Sequence, residues 1–378
     1  MKVLIVAKGY PTREKPFVQS FIRDEACLLH RQHQVMVLDI QPFKPGLIPA
    51  LLRPASYPAD GFPVERAPYL SVPRHKLPQL TRRGLAARVG DAISRFQPDV
   101  LHAHFLYPGI LALQEARRIG VPTVLTLHGA DWYAALKTPA VKKLAAAVLP
   151  QTGRIICVGP GLHRDVVSTF PELSSTAEVV LHGTDYSFFK PATAGKSAAV
   201  YPRILCVARF VHKKGLHLLV EAVAGSDKLR NCPLTIIGDI TDAAYHREIL
   251  AQIRDSGLTN ISLLPGMGRE ALREQFYAHD FYVQPSIDEP FGLALLEAIA
   301  CGLPAVAFRS GGPDVIVTPQ NGMLLQKPDA AALRQALEDM CSAWNTFSPA
   351  QMHADLADRF SENAKRSRLT SIYESLRA

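Results

Sequence analysis

Two carboxylates, Glu289 and Glu297, stand eight residues apart in the run Asp288-Glu289-Pro290-Phe291-Gly292-Leu293-Ala294-Leu295-Leu296-Glu297-Ala298-Ile299-Ala300-Cys301-Gly302-Leu303-Pro304. The run reads as a short apolar helix. Pro290 suits the first helical position, where its missing N–H would be unpaired anyway, and Gly302 suits the cap. On this reading Glu289 sits just outside the helix N-terminus, where free N–H groups and the dipole attract phosphate. Glu297 then lies roughly 12 Å further along the axis. That span fits a nucleotide sugar, with a hexose at one end, a diphosphate over the helix mouth and a ribose at the other. Phe291-Gly292 supplies a residue without a side chain where backbone must approach a ligand closely. An ordinary core helix with one solvated glutamate is the plainer alternative for this segment alone.

Arg209-Phe210-Val211-His212-Lys213-Lys214-Gly215 carries further chemistry. Arg209 and Lys214 leave the end of an apolar run, where Arg could grip a diphosphate bidentately and Lys could supply a point charge. Lys213 reads as a solvated neighbour, although spacing does not exclude the reverse assignment. A basic loop by itself is usually surface. Followed by Gly238-Asp239 and then by the two glutamates, it reads as a donor site. In the other half, His128 follows an apolar run, with Gly129 and Asp131 beside it. A lone histidine there is more often structural, as His102 and His104 also read.

The elements that must position these groups alternate along the chain. Strands are predicted at Lys2–Ala7, Gln34–Asp39, Asp99–His104, Thr123–His128, Arg154–Gly159 and Glu178–His182. The second half repeats the pattern at Ile204–Arg209, Leu234–Gly238, Ile261–Leu264, Phe281–Gln284, Ala305–Phe308 and Met323–Leu325. Helix-like segments separate them, so the fold class is α/β, with doubly wound parallel sheets. At 378 residues the chain is long enough for two domains. The expected division is 1–190, a linker at 191–202, 203–360, and a C-terminal helix over 361–378 packing back across the domains. Ligands of such sheets bind beyond the strands' carboxyl ends, so the cleft between two facing domains is the expected site. Residues 41–80, rich in proline and poor in periodicity, read as an irregular insertion or loop pair.

Bulk properties exclude other classes. No apolar run approaches a membrane span, and the N-terminal run is too short for a signal peptide. Six scattered cysteines lack any C-x-x-C pair and read as reduced core residues of a cytoplasmic protein, not a disulfide framework or zinc site. The net charge of +8 is uneven: residues 1–200 carry 24 Lys and Arg against 14 Asp and Glu. No nucleic-acid motif accompanies that excess, so no nucleic-acid partner is expected. Basic and apolar residues mix over Pro73–Phe96, which could hold the first half against an anionic membrane surface as a peripheral protein. Solvated surface charge is the alternative.

Taken in order, the motifs resemble the family 4 glycosyltransferases (the "group 1" transferases), in the branch that assembles exopolysaccharide and lipopolysaccharide. The likeness rests on Arg209…Lys214-Gly215, Pro285-Ser286…Glu289-Pro290-Phe291-Gly292…Glu297-Ala298, Gly302-Leu303-Pro304, Gly311-Gly312 and Asn321-Gly322. In the first half it rests on Gly9-Tyr10-Pro11, His102-Ala103-His104, His128-Gly129-Ala130-Asp131 and His182-Gly183-Thr184-Asp185. It covers essentially the whole chain.

The resemblance implies the GT-B fold and transfer from a UDP-, GDP- or ADP-sugar to a glycan, polysaccharide or lipid-linked acceptor, with retention of anomeric configuration. It assigns Arg209 and Lys214 to the donor diphosphate, Glu289 to hydroxyls of the transferred sugar and Glu297 to the ribose. Phe291, Gly292, Leu293 and Gly238 join the donor site. His128 lines the cleft near the sugar, and Gly129 and Asp131 fall on the acceptor side. With no D-x-D pair, no metal and no other cofactor are expected. A nucleotide-sugar epimerase of the same fold, or a non-catalytic partner protein, are the rival readings. Two departures stand out: the loop Tyr10–Val18 lacks the family's frequent Gly-Gly pair, and Asp314 stands where a Glu is usual, one position early.

Overall fold

The computed structural model describes residues 1–11, 19–43, 55–70, 78–192 and 200–377. It divides into two compact units, Met1–Leu181 with Asn363–Ala378, and His182–Glu362.

In the first unit the sheet runs β3-β4-β2-β1-β5-β6-β7-β8. Its strands are β1 (Lys2–Ala7), β2 (Gln34–Phe43), β3 (Ala55–Ala59), β4 (Phe62–Leu70), β5 (Val100–His104), β6 (Thr123–Leu127), β7 (Arg154–Cys157) and β8 (Ala177–Val179). All neighbours are parallel except the β3–β4 edge pair. The central strands are buried on both faces, which is why they read as continuous apolar runs.

Strands β3 and β4 correct the reading of residues 41–80 as irregular. The two join through Asp60-Gly61, with φ of 54° and 89°, a two-residue turn of the type that hairpins favour. Pro63 and Pro68 disguise β4, because proline usually argues against a paired strand. Its signal was the alternation of buried Phe62 and Val64 around exposed Pro63.

The second unit's sheet runs β11-β10-β9-β12-β13-β14, wholly parallel. Its strands are β9 (Ile204–Val207), β10 (Leu234–Ile237), β11 (Ile261–Leu264), β12 (Phe281–Gln284), β13 (Ala305–Phe308) and β14 (Gly322–Leu325). The strand order reverses between β9 and β12. Ligands of such sheets sit beyond the carboxyl ends at that reversal.

The unit boundary falls earlier than residue 190. Residues 182–192 pack into the second unit: Phe189 is fully buried against Phe276, the Tyr277 hydroxyl donates to the Lys190 carbonyl at 3.0 Å, and Thr184 bridges to Ser361. Within the first unit, the final helix Glu362–Ser375 buries Leu369, Ile372 and Tyr373 in one core with Val3, Ile5, Ile22 and Val100. The linker residues 193–199 and the loop 12–18 lie outside the described residues.

Helix Pro78–Phe96 turns Leu85, Val89, Ala92 and Ile93 inward, all essentially buried. Those four apolar groups are committed to the core and do not face lipid. Pro73–Lys76 lie outside the described residues. No described helix is long and apolar enough to cross a membrane. All six cysteines are free thiols.

Candidate active site

The loops after β9 and β12 leave the two strands that flank the reversal, and they are tied together by backbone. Ile287 N–H donates to the Lys213 carbonyl at 2.8 Å. Gly215, at φ 66°, lies so close to Pro285 that a Cβ there would stand 1.9 Å from its carbonyl oxygen. This contact turns Lys214 inward. Its ammonium pairs with Glu289, and both side chains are nearly buried, 13% and 10% exposed. Lys213 instead faces Asp288 at 2.9 Å on the surface. The structure therefore separates two lysines that spacing left interchangeable.

Glu289 is held on one oxygen. Besides Lys214, Gln284 Nε2 donates to Oε2 at 2.5 Å and the Ser286 hydroxyl at 3.4 Å. The Tyr282 hydroxyl in turn donates to Gln284 Oε1 at 2.9 Å, which orients the amide. Oε1 of Glu289 takes none of these bonds. Gln284 and Ser286 were missing from the sequence-derived site. The available signal was a polar residue ending a strand that is buried throughout, since a buried polar group is the informative kind.

Glu289 does not sit at a helix mouth, which corrects the expectation. The helix starts at Leu293, with Gly292 as its N-cap at φ 98°, and ends at Ala300. Glu289 is instead held by an isolated parallel bridge to Gly311, its N–H donating to the Ser310 carbonyl and its carbonyl accepting from the Gly312 N–H. Pro290 thus lies in a bend between that bridge and the helix, and Glu297 lies about one turn, roughly 6 Å, inside the helix. The predicted C-terminal cap holds: Gly302 takes φ 90°, and Leu303 N–H reaches back to Ala298 at 3.1 Å. The opening N–H groups of Leu293, Ala294 and Leu295 have no partner among the described residues.

The remaining donor-side residues divide. Arg209 is exposed, and among the described residues it makes no ion pair. Glu297 is half-buried. Phe291 is 3% exposed and its ring packs edge-on against His182 and Phe360, so the ring is not available to a ligand. Gly238 lacks a side chain for a packing reason, since a Cβ would stand 2.0 Å from the Ala208 carbonyl oxygen.

In the first unit, His128 follows β6 and its ring is wedged between Phe21 and Phe105, with centroids at 4.7 and 4.9 Å. Asp131, expected on the acceptor side, is a turn brace: its two oxygens accept from the His128 N–H at 2.9 Å and the Leu106 N–H at 2.7 Å. Burial raises its carboxyl despite those bonds. Gly129, at φ 87°, starts the helix Ala130–Leu136.

Beneath His128 lies a buried cluster of Glu25, His102 and His104. Burial would raise Glu25, but Lys365 at 2.6 Å and the two histidines outweigh it and hold the carboxyl well below its usual range. Burial pushes His102 down to about 3, with His104 adding to the effect. Both shifts have one sign for stability. The unfolded chain takes up protons first, so stability is complete above pH 6.5 and is lost as pH falls, from His102 below 6.5 and from Glu25 below about 4.5. The His102 contribution amounts to about 1.4 kcal/mol per pH unit. Hydrogen-exchange protection of the β5 and β6 amides, corrected for intrinsic rates, should therefore decline from pH 6.5 downward. Protection that stays flat to pH 4 refutes this.

Comparison with known proteins places this geometry. Residues 194–367 match the family described as glycosyl transferases group 1, and residues 18–188 match glycosyltransferase family 4. The chain is 25% identical over 290 residues to a component of the phosphatidylinositol N-acetylglucosaminyltransferase of Arabidopsis thaliana, covering 76% of this chain and 64% of that one. It is 28% identical over 294 residues to a D-inositol 3-phosphate glycosyltransferase of Arthrobacter sp., covering 72% and 69%. The Anabaena protein HepE, solved in complex with UDP and glucose, shares the fold with a TM-score of 0.77 at 19% identity, over 99% of this chain and 100% of that one. With the two family matches spanning nearly all of its length, the chain belongs to the group 1 and family 4 glycosyltransferases.

Proposed function

We propose that the protein moves a hexose from a nucleotide-sugar donor to a glycan or lipid-linked acceptor, with retention of configuration, the second unit taking the donor. The observation that carries this reading is the Lys214–Glu289 pair at the sheet's reversal point. Glu289 is oriented through Oε2, so Oε1 is presented to a sugar hydroxyl. Lys214 and the exposed Arg209 supply fixed positive charge for a diphosphate, next to the opening N–H groups of the Leu293 helix. Glu297 serves the ribose hydroxyls, and His128 meets the reacting part of the substrate. UDP bound to HepE, and the inositol-containing compounds in the relatives' names, are consistent with a nucleotide donor and a polyol or lipid-linked acceptor.

Because two fixed cations stand where a divalent ion would otherwise neutralise the diphosphate, the reaction needs no metal. A thermal-shift screen against UDP-, GDP- and ADP-sugars in EDTA tests both statements. One nucleotide series should raise Tm, since a ligand at 100 times its Kd adds about 2.7 kcal/mol. No shift with any series, with or without Mg²⁺, overturns the donor site. A shift that requires Mg²⁺ overturns metal independence alone.

A further inference from the structure

Three ionisable side chains stand in line behind His128. Lys365 Nζ lies 2.6 Å from Glu25 Oε2, and Glu25 Oε1 lies 3.2 Å from His104 Nε2. His104 Nδ1 then meets His128 Nε2 at 3.1 Å, with the two rings stacked at 5.4 Å. Glu25 and His104 are 3% and 1% exposed. The other group near the carboxylate, His102, has its ring nitrogens engaged by the Tyr373 and Thr126 hydroxyls, each at 2.7 Å.

The 3.2 Å approach of Glu25 Oε1 to His104 Nε2 lacks hydrogen-bond geometry, and neither atom has a hydrogen-bond partner among the described residues. An ionised carboxylate facing that nitrogen favours a proton there over a lone pair. In its neutral form His104 then has a bare Nδ1, which accepts from a protonated His128 Nε2; in the imidazolium form Nδ1 would donate instead and His128 would carry its proton on Nδ1. We propose that Glu25 and His104 are positioning residues that fix His128 as the Nε2–H tautomer, with Nδ1 as its basic nitrogen, and that stabilise positive charge developing on it. Lys365 keeps Glu25 ionised, so that the chain of protons has one direction. This rests on the reading that His128 meets the substrate. A histidine's orientation is commonly set by what its second nitrogen touches.

The test uses the full-length protein labelled with ¹⁵N-histidine, followed by kinetics. In the wild type at pH 7.5, His128 should show a protonated Nε2 and an unprotonated Nδ1. His104→Leu should mix or reverse the tautomers and lower kcat about 10- to 100-fold, as loss of a ligand-orienting partner commonly does, with the donor KM little changed. His104→Gln retains an acceptor for His128 and a donor for Glu25, so it should restore the tautomer and most of kcat. Glu25→Gln should resemble His104→Leu, and the His104→Gln result stands should either of those fail to fold. A wild-type His128 protonated on Nδ1, or His104→Leu with unaltered kcat, overturns the proposal. If the wild type shows the expected tautomer and a donor-induced Tm shift while Glu25→Gln leaves kcat intact, only the positioning role falls. Absence of any donor binding by the wild type overturns the function instead.

Discussion

Lys214→Ala is expected to weaken nucleoside-diphosphate binding about 10- to 100-fold, the loss of one charge-assisted contact worth roughly 1.5–3 kcal/mol, and to depress turnover further. The substitution has a second effect that the sequence did not suggest. Glu289 would be left nearly buried without its cation, and breaking such a pair typically costs about 3–5 kcal/mol. The two effects can be separated. In Lys214→Met with Glu289→Gln the uncompensated charge is gone, so Tm should recover while donor affinity and turnover stay low. Unchanged affinity and rate in Lys214→Ala would reduce the pair to a structural one and remove Lys214 from the donor site.

Gly215→Ala is expected to be damaging although it adds one methyl group. The residue occupies φ 66°, where a side chain costs about 1–2 kcal/mol. Its Cβ would stand 1.9 Å from the Pro285 carbonyl oxygen, so backbone must shift, at a further cost of about 1–3 kcal/mol. For a unit of this size the sum lowers Tm on the order of 10 °C. Because this contact joins the loops carrying Lys214 and Glu289, donor affinity should fall even at temperatures where the variant is folded. A variant with wild-type Tm and affinity would show that the two loops do not depend on this approach.

Much of this was legible beforehand because the relevant signals are local. Twelve strands were visible as short apolar runs, the central ones most plainly because strands buried on both faces carry no alternation to obscure them. The Gly302 cap was visible because a helix end requires a residue that accepts positive φ. Arg209, Lys214, Glu289 and Glu297 stood out as donor-site candidates from their residue types and order. The hairpin of β3 and β4 was hidden by its prolines, although Asp60-Gly61 announced its turn.

Where the sequence misled, the deciding contact came from far along the chain. Pro290 looked like the first residue of a helix, but Glu289 before it is bridged to Ser310 and Gly312, and the helix begins only at Leu293. Phe291 has its ring drawn into an aromatic core with His182 and Phe360, and Asp131 has its oxygens taken by backbone. Spacing cannot tell Lys213 from Lys214; the packing of Gly215 against Pro285 does. The line from Lys365 through Glu25 and His104 to His128 joins the last helix to the first helix and to two strands of one sheet. Residue types and local periodicity determined which groups this protein has and which elements carry them. Only tertiary packing decided which of those groups are desolvated, paired and aimed, because those properties depend on neighbours brought together by the fold, as Lys214 and Glu289 are from 75 residues apart.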